Sequence, residues 1–248
     1  MKFPCITSTA LAALLLAALA LPAHAQTGLL NDTGQTSCHD ASNAAVACDA
    51  TNTGNNGTRP HQDGRYGRDA AAAAGVLTKT GDGPAGFDFS CVLWNGTVIN
   101  GSNCTAGLVA NTTGTPSGTP STDWACTKDN VTGLVWSLQT QGSVNWTTAT
   151  GATYPDAGHN SASRCGYSTG WRLPTRLELL SIVHRGQTNP AIDASHFPGT
   201  WNRWYWTSEP SQTSPDRAWY VDFRFGGSAT NIQTESLMAY ARLVRSGP

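Results

Sequence analysis

The sequence predicts an α+β fold: a small twisted antiparallel sheet with one or two short helices, stapled by disulfides and preceded by a loop-rich N-terminal region. Three observations carry that expectation. Strand-like apolar runs gather in the second half of the chain, where eight of the nine tryptophans lie between Trp124 and Trp219. One stretch, GWRLPTRLELLSIVHRG at 170–186, carries helix signals at both ends. Once Cys5 is set aside with the leader described next, six cysteines remain, the even count of an exported chain that closes disulfides.

Taken in order, residues 1–25 read as a secretory signal. Lys2 supplies the positive start, the apolar run at 11–21 is short for a membrane span, and Ala23-His24-Ala25 is a small-x-small cleavage site. The mature chain is expected to begin at Gln26, outside the cytoplasm. No later run of 18 apolar residues follows, so no transmembrane helix is expected.

Residues 26–104 are expected to be loop-rich. The part up to Arg59 has few large apolar side chains to bury. The segment HQDGRYGRDAAAAAG at 61–75 reads as a turn at Asp63-Gly64 leading into a short alanine-rich helix at 69–74, with Arg65, Arg68 and Asp69 as solvated charges. In FDFSCVLWNGTVI, Asn95-Gly96 separates two apolar runs, the signature of a β-hairpin. Residues 105–122, rich in Thr, Ser, Gly and Pro, are expected to be a linker, with a second domain over 123–248.

In that domain, 131–137 and 238–244 read as strands, and 146–149 as a short helix. Pro174 bars helix before it, Thr175 stands where an N-cap belongs, and Glu178 completes a capping box. Leu177, Leu179, Leu180, Ile182 and Val183 form an apolar stripe, His184 and Arg185 complement the dipole, and Gly186 is expected to supply the left-handed stop. The helix is therefore expected over 175–185. Alternation in RWYWTS places Trp204 and Trp206 on one face. In RAWYVDFRF it places Trp219, Val221, Phe223 and Phe225 together. With those faces inward, Arg203, Tyr205, Tyr220 and Arg224 face outward, a set suited to an anionic polysaccharide: guanidinium groups pair with sulfate or carboxylate, and aromatic faces stack on sugars. Asp222 opposes such binding.

Charged residues are only 12% and the formal net charge is −1. This excludes nucleic acid, which calls for a basic footprint, and gives no polybasic membrane surface. No G-x-S-x-G, H-E-x-x-H, EF-hand loop or C-x-x-C occurs. No catalytic set, cofactor or metal is therefore expected, and His184 and His196 stand isolated. Six cysteines allow 15 pairings. Pairing of sequence neighbours, Cys38–Cys48, Cys91–Cys104 and Cys126–Cys165, is the expectation.

WRLPTRLELLSIV, preceded by DNVTGLVW at 129–136 and followed by NPAID, YWTS, AWYVDF and ARLVR, resembles the Lcl C-terminal-domain family across about 123–245. These are secreted bacterial modules, many of unknown function. The namesake is an adhesin whose C-terminal domain is associated with sulfated polysaccharides. RYGRDA accompanies many members. The W-R-L-P-T segment running into a helix also resembles the sulfatase-modifying and C-type-lectin-like folds. However, the sulfatase-modifying type uses cysteines near its C-terminus, and here the last is Cys165. Thr188-Asn189-Pro190 and Trp201-Asn202-Arg203 lack the acidic ligand that calcium-dependent lectins present to a hard cation. The resemblance implies a non-enzymatic exported binding or adhesion module, its partner an anionic glycan or cell-surface polysaccharide. The alternative is a structural or assembly domain of the cell envelope. Oligomerisation is compatible with both.

Overall fold

The structure is a computed structural model and describes residues 32–39, 42, 45–46, 67–101, 104–151, 154, 159–236 and 239–247. The signal segment and its cleavage site lie outside these residues. Near the start, β1 (Cys38–His39) and β2 (Ala45–Val46) form a two-stranded ladder. A short helix, α1 (Gly67–Ala73), follows. The main sheet is built from β3 (Phe89–Leu93), β4 (Val98–Ile99), β5 (Val109–Ala110), β6 (Asp123–Asp129), β7 (Leu134–Gly142), β8 (Trp204–Pro210), β9 (Arg217–Asp222), β10 (Gly227–Ile232) and β11 (Ala239–Ser246). Its order is β10-β9-β8-β11-β7-β6-β3-β4, with β5 beside β6. Two further helices are single turns, α2 (Trp146–Thr150) and α3 (Arg176–Leu180). The fold is thus α+β and mostly sheet. It differs from the expected antiparallel sheet in being mixed, because β8–β11 and β5–β6 run parallel.

The hairpin at Asn95-Gly96 forms as expected: β3 and β4 pair antiparallel, Cys91 opposite Ile99, and Gly96 takes the positive φ of 93° that the turn requires. The expected domain boundary, in contrast, does not separate two bodies. β3 pairs with β6 along Phe89–Asp129 to Leu93–Trp124, so the hairpin is part of the same sheet. Within 105–122, β5 pairs with β6, and buried Asn111 donates from Nδ2 to Asp123 Oδ1 at 2.7 Å and to Thr115 O at 2.8 Å. Loop composition marked this segment as a linker; its polar side chains instead fasten it to the sheet. The Arg68-Asp69 pair is likewise no solvated surface. Arg68 Nε donates to Gly86 O at 2.8 Å, and the Gly86 N–H donates to buried Asp69 at 2.9 Å. This two-point clamp seats α1 on the approach to β3.

Cys91–Cys104 and Cys126–Cys165 are bonded as expected. Cys38 is disulfide-bonded too, and Cys48 lies outside the described residues. Cys126–Cys165 ties β6 to the 3-10 turn Arg164–Gly166, across a 39-residue separation.

Both faces of the sheet are buried. One core holds Phe87, Phe89, Trp136, Leu179, Tyr205, Val221, Phe223 and Val244. The other holds Val92, Val135, Ala149, Trp171, Leu173, Trp206, Ala218 and Leu243. Neighbours in one strand, Val135 and Trp136 or Leu243 and Val244, therefore point into different cores, as period-two geometry demands. With so little helix among the described residues, loops supply most of the cover.

The start of α3 matches its sequence signals. The Glu178 N–H donates to Thr175 Oγ1 at 3.2 Å, and the Thr175 N–H donates to Glu178 Oε2 at 2.7 Å. Arg172 grips the same carboxylate with both terminal nitrogens, at 2.8 and 2.7 Å. The helix ends sooner than the apolar stripe implies. Ser181 caps it, its hydroxyl donating to Glu178 O at 2.7 Å. Beyond it the His184 N–H goes to Ala191 O and the Arg185 N–H to Thr33 O. Loop carbonyls thus capture the donors that would have extended the helix, and Gly186 has no left-handed φ. Ile182 and Val183 still reach the core, from a turn. Among the described residues, no helix is long and apolar enough to cross a membrane.

Two outcomes test this arrangement. Leu179 is fully buried, whereas Leu177 is 60% exposed. Leu179→Ala should cost about 2–5 kcal/mol in denaturant unfolding, and Leu177→Ala less than about 0.5 kcal/mol. The second concerns Glu178. Burial alone would raise its carboxyl, but the Arg172 hydrogen bonds, the Thr175 N–H and the guanidinium charge outweigh burial and hold it below its ordinary value. A depressed carboxyl contributes stability above its unfolded value and loses that contribution as pH falls through the folded one. Glu178→Gln keeps much of the capping box. It should be less stable than wild type near neutrality, and the gap should close as pH falls below about 4. Unfolding midpoints measured across that range check the sign.

Candidate functional site

The four residues expected to face outward do not share one surface. Tyr205 is fully buried: its ring meets Phe223 edge-on at 5.0 Å, and its hydroxyl accepts the Trp201 N–H at 3.0 Å. Alternation failed here because Tyr205 and Trp206 each face a core. Tyr220 is half-buried and stacks on Trp204 at 4.8 Å. Burial pushes its hydroxyl up, and Asp222 adds to the shift. Arg203 and Arg224 are half-buried, each with its own neighbour. Phe225, expected inside with Phe223, is 66% exposed, because the chain turns after Asp222, where the Gly226 N–H donates to Asp222 O at 2.8 Å.

Two of the four do lie at one end of the sheet, where β8 begins and β9 finishes. The Phe223 N–H donates to Arg203 O at 3.0 Å, and the Asn189 N–H donates to Arg224 O at 3.1 Å. Asn202 Nδ2 donates to Asn189 Oδ1 at 3.3 Å, which joins the two segments. Asn189 holds a φ of 56°, a region that asparagine tolerates better than most side chains. Around this hub stand Trp201, 57% exposed, and Phe225. Arg203 Nη1 donates to Asn202 Oδ1 at 3.0 Å, and Arg224 lies 5.7 Å from the Phe225 ring centre. Among the described residues, neither guanidinium forms an ion pair. Alternation gave Trp201 no face and placed Phe225 wrongly. Gly226-Gly227, just after Phe225, was the available sign of a turn.

A buried scaffold holds this end from below. Arg242 Nη2 donates to Thr200 Oγ1 at 2.6 Å, and Thr200 Oγ1 donates in turn to Phe197 O at 2.7 Å. The Arg242 guanidinium lies 5.3 Å from the Phe197 ring centre. Arg242 is almost fully buried, and burial pushes its guanidinium down from its usual range. Trp201 is therefore flanked by a residue pinned through Arg242 and bonded through its own N–H to Tyr205.

Groups with the look of catalysis lie elsewhere, under cover. Ser137 Oγ sits 2.8 Å from His159 Nε2, a contact that no sequence motif signalled. Both residues are buried, with Trp171 packed edge-on against the imidazole at 5.1 Å. Burial, aided by the Arg164 charge, pulls the imidazole down to about 3, so it is neutral at physiological pH. Among the described residues no carboxylate orients its other nitrogen, which has no hydrogen-bond partner there. His196 is not isolated as expected: its Nδ1 is 2.6 Å from Asp193 Oδ2, again in the interior. Among the described residues, no group of three or more His, Cys, Asp or Glu could hold a metal ion. The exposed end of the sheet offers stacking surfaces, amides and guanidinium groups instead. These can hold a ligand without moving a proton.

No curated protein matches the chain. A family model, described as the Lcl C-terminal domain, matches residues 125–245, which takes in β7 through β11, α2, α3 and the Trp201–Phe225 end. This is the family that the motifs of that stretch resemble.

Proposed function

We propose that this protein is an exported, non-enzymatic binding or adhesion module that takes an anionic polysaccharide at the sheet end carrying Trp201, Arg203, Arg224 and Phe225. One observation carries the reading: two largely exposed aromatic side chains stand beside two arginines that form no ion pair among the described residues. A sulfated or carboxylated sugar chain offers the complement to both, an anion for each guanidinium and a ring face for each aromatic surface. Export is supported by the disulfides and by the leader-like residues 1–25. The near-neutral charge predicts little long-range steering, so recognition would be local.

The alternative, a structural or assembly domain of the cell envelope, is favoured by a different observation. β10 ends the sheet order, and its GSATNI sequence places no charge on that edge. Such an edge can add a strand from another chain.

The double variant Arg203→Ala, Arg224→Ala separates the readings. Its heparin affinity should fall at least about tenfold, near 1.4 kcal/mol, with a shallower dependence on ionic strength. Binding to neutral dextran should be unchanged. Circular dichroism and the melting temperature establish that the variant is folded. Heparin binding equal to wild type in a folded variant removes this site, and concentration-dependent association without glycan binding favours assembly.

A further inference from the structure

A groove of about 430 Å³ lies between α2 and the turn that leads into α3. From it we infer a second binding site, for an uncharged sugar ring. Its size falls within the range of small-molecule sites, roughly 300–1,000 Å³. Ala149 and Leu173 form an apolar floor, Trp146 one wall and Arg172 another, with the Thr150 and Ser208 side chains on the rim.

Each wall is held before any ligand arrives. Trp146 Nε1 donates to Thr207 O at 2.8 Å, which sets the plane of the indole. The Trp146 N–H donates to Gln233 O at 2.9 Å, and Asn145 caps α2 by accepting the Thr148 N–H at 2.8 Å. Arg172 is clamped by both oxygens of Glu178 and donates to Leu173 O at 3.1 Å. The Ser208 N–H donates to Pro174 O at 2.8 Å, which fastens the end of β8 to the α3 turn. A site on residues so fixed needs little ordering when it binds.

The electrostatics select the ligand class. Arg172 is the cation lining the groove, and the Glu178 carboxylate in bidentate contact offsets its charge. An anion gains little there, in contrast to the Arg203 and Arg224 end. The Arg172 side chain is nevertheless 43% exposed, and only three of its N–H donors are engaged by Glu178 and Leu173. The remaining donors, the Ser208 hydroxyl and Thr150 Oγ1, which donates to Trp146 O at 2.9 Å and is left as an acceptor, suit the hydroxyl groups of a sugar. The apolar face of a pyranose suits the fixed indole and the Leu173 floor. An uncharged pyranose is polar at its edge and apolar on its face, and it matches each part of the groove. This inference stands apart from the anionic site and shares no residue with it.

The test uses the full chain with methyl β-glucoside, methyl α-mannoside, methyl β-galactoside and N-acetylglucosamine as probes. The readout is the NMR shift of the Trp146 indole N–H. At least one probe should give a saturable shift whose midpoint is unchanged by about a tenfold rise in ionic strength. Ser208→Phe plugs the exposed rim without touching the core, and it should weaken that binding at least tenfold. Trp146→Phe keeps an apolar wall but removes the indole and its resonance; its binding, read by titration calorimetry beside the wild type, should be weakened in the same direction. Arg203→Ala with Arg224→Ala should leave the shift intact, whether or not heparin binding survives. The inference is overturned if no probe shifts the resonance, if the midpoint follows salt, or if Ser208→Phe binds as wild type does.

Discussion

Tyr205 and Trp206 are adjacent in β8, and both are fully buried, in opposite directions. A sheet covered on both faces is the constraint on which the rest of the structure depends. Among the described residues the helices α1, α2 and α3 are too short to cover nine strands, so irregular segments do most of it. Backbone at a covered surface loses water, and each of its polar groups then needs another partner. The buried charged side chains meet that need. Asp88 accepts the Thr80 and Gly81 N–H groups, Asp123 that of Ser117, Asp193 that of Ser195, and Asp129 those of Val131 and Thr132. Arg164 donates to the carbonyls of Thr113 and Ala125. Charges that look unexplained as isolated residues are the means by which loops can be packed against a sheet.

That solution has an energetic consequence. Burial raises the Asp129 carboxyl to about 6, against the hydrogen bonds from Thr132 and Val131, and lowers the Arg164 guanidinium to about 10, against the nearby Asp123 charge. In each case the desolvation of the charge is the larger effect. These groups add little net stability of their own. They specify where each loop lies, and the apolar cores on either face supply the driving force.

What was legible in the sequence follows the same division. Local signals read correctly where they act locally: the Thr175–Glu178 capping box, the Asn95-Gly96 hairpin, the Trp146 helix, and the Cys91–Cys104 and Cys126–Cys165 pairs. The faces of β8 and β9 misled, because alternation assigns an inside and an outside only when one face meets water. The end of α3 was hidden because its competitors, the carbonyls of Ala191 and Thr33, are remote in sequence. β10 carries no alternating apolar pattern at all; its backbone pairing with β9 makes it a strand. Residues 105–122 have the composition of a linker, and the pairing of β5 with β6 and the bonds of Asn111 and Ser117 to Asp123 show that they are fastened. Of the candidate site, the arginines at 203 and 224 were legible. The exposed pair Trp201 and Phe225 was not, since its exposure is set by where β8 begins and β9 turns.

The disposition of the arginines then bears on function. Arg68 and Arg172 face carboxylates, at 3.9 and 2.7 Å. Arg164 and Arg242 are buried against Trp94 and Phe197. Arg176 lies over Trp219 at 4.0 Å, and Arg245 over Tyr167 at 3.5 Å. Six of the ten arginines among the described residues are thus structural, which is why net charge says so little about binding here. Arg203 and Arg224 differ, since their neighbours are an asparagine side chain and an exposed phenylalanine. A guanidinium whose partners are neutral and partly in water keeps its capacity for an anion, whereas one paired with a carboxylate, as Arg172 is, keeps only its spare hydrogen bonds. The same residue type therefore suits two different ligand chemistries on one domain, according to whether the fold has already supplied the counter-charge.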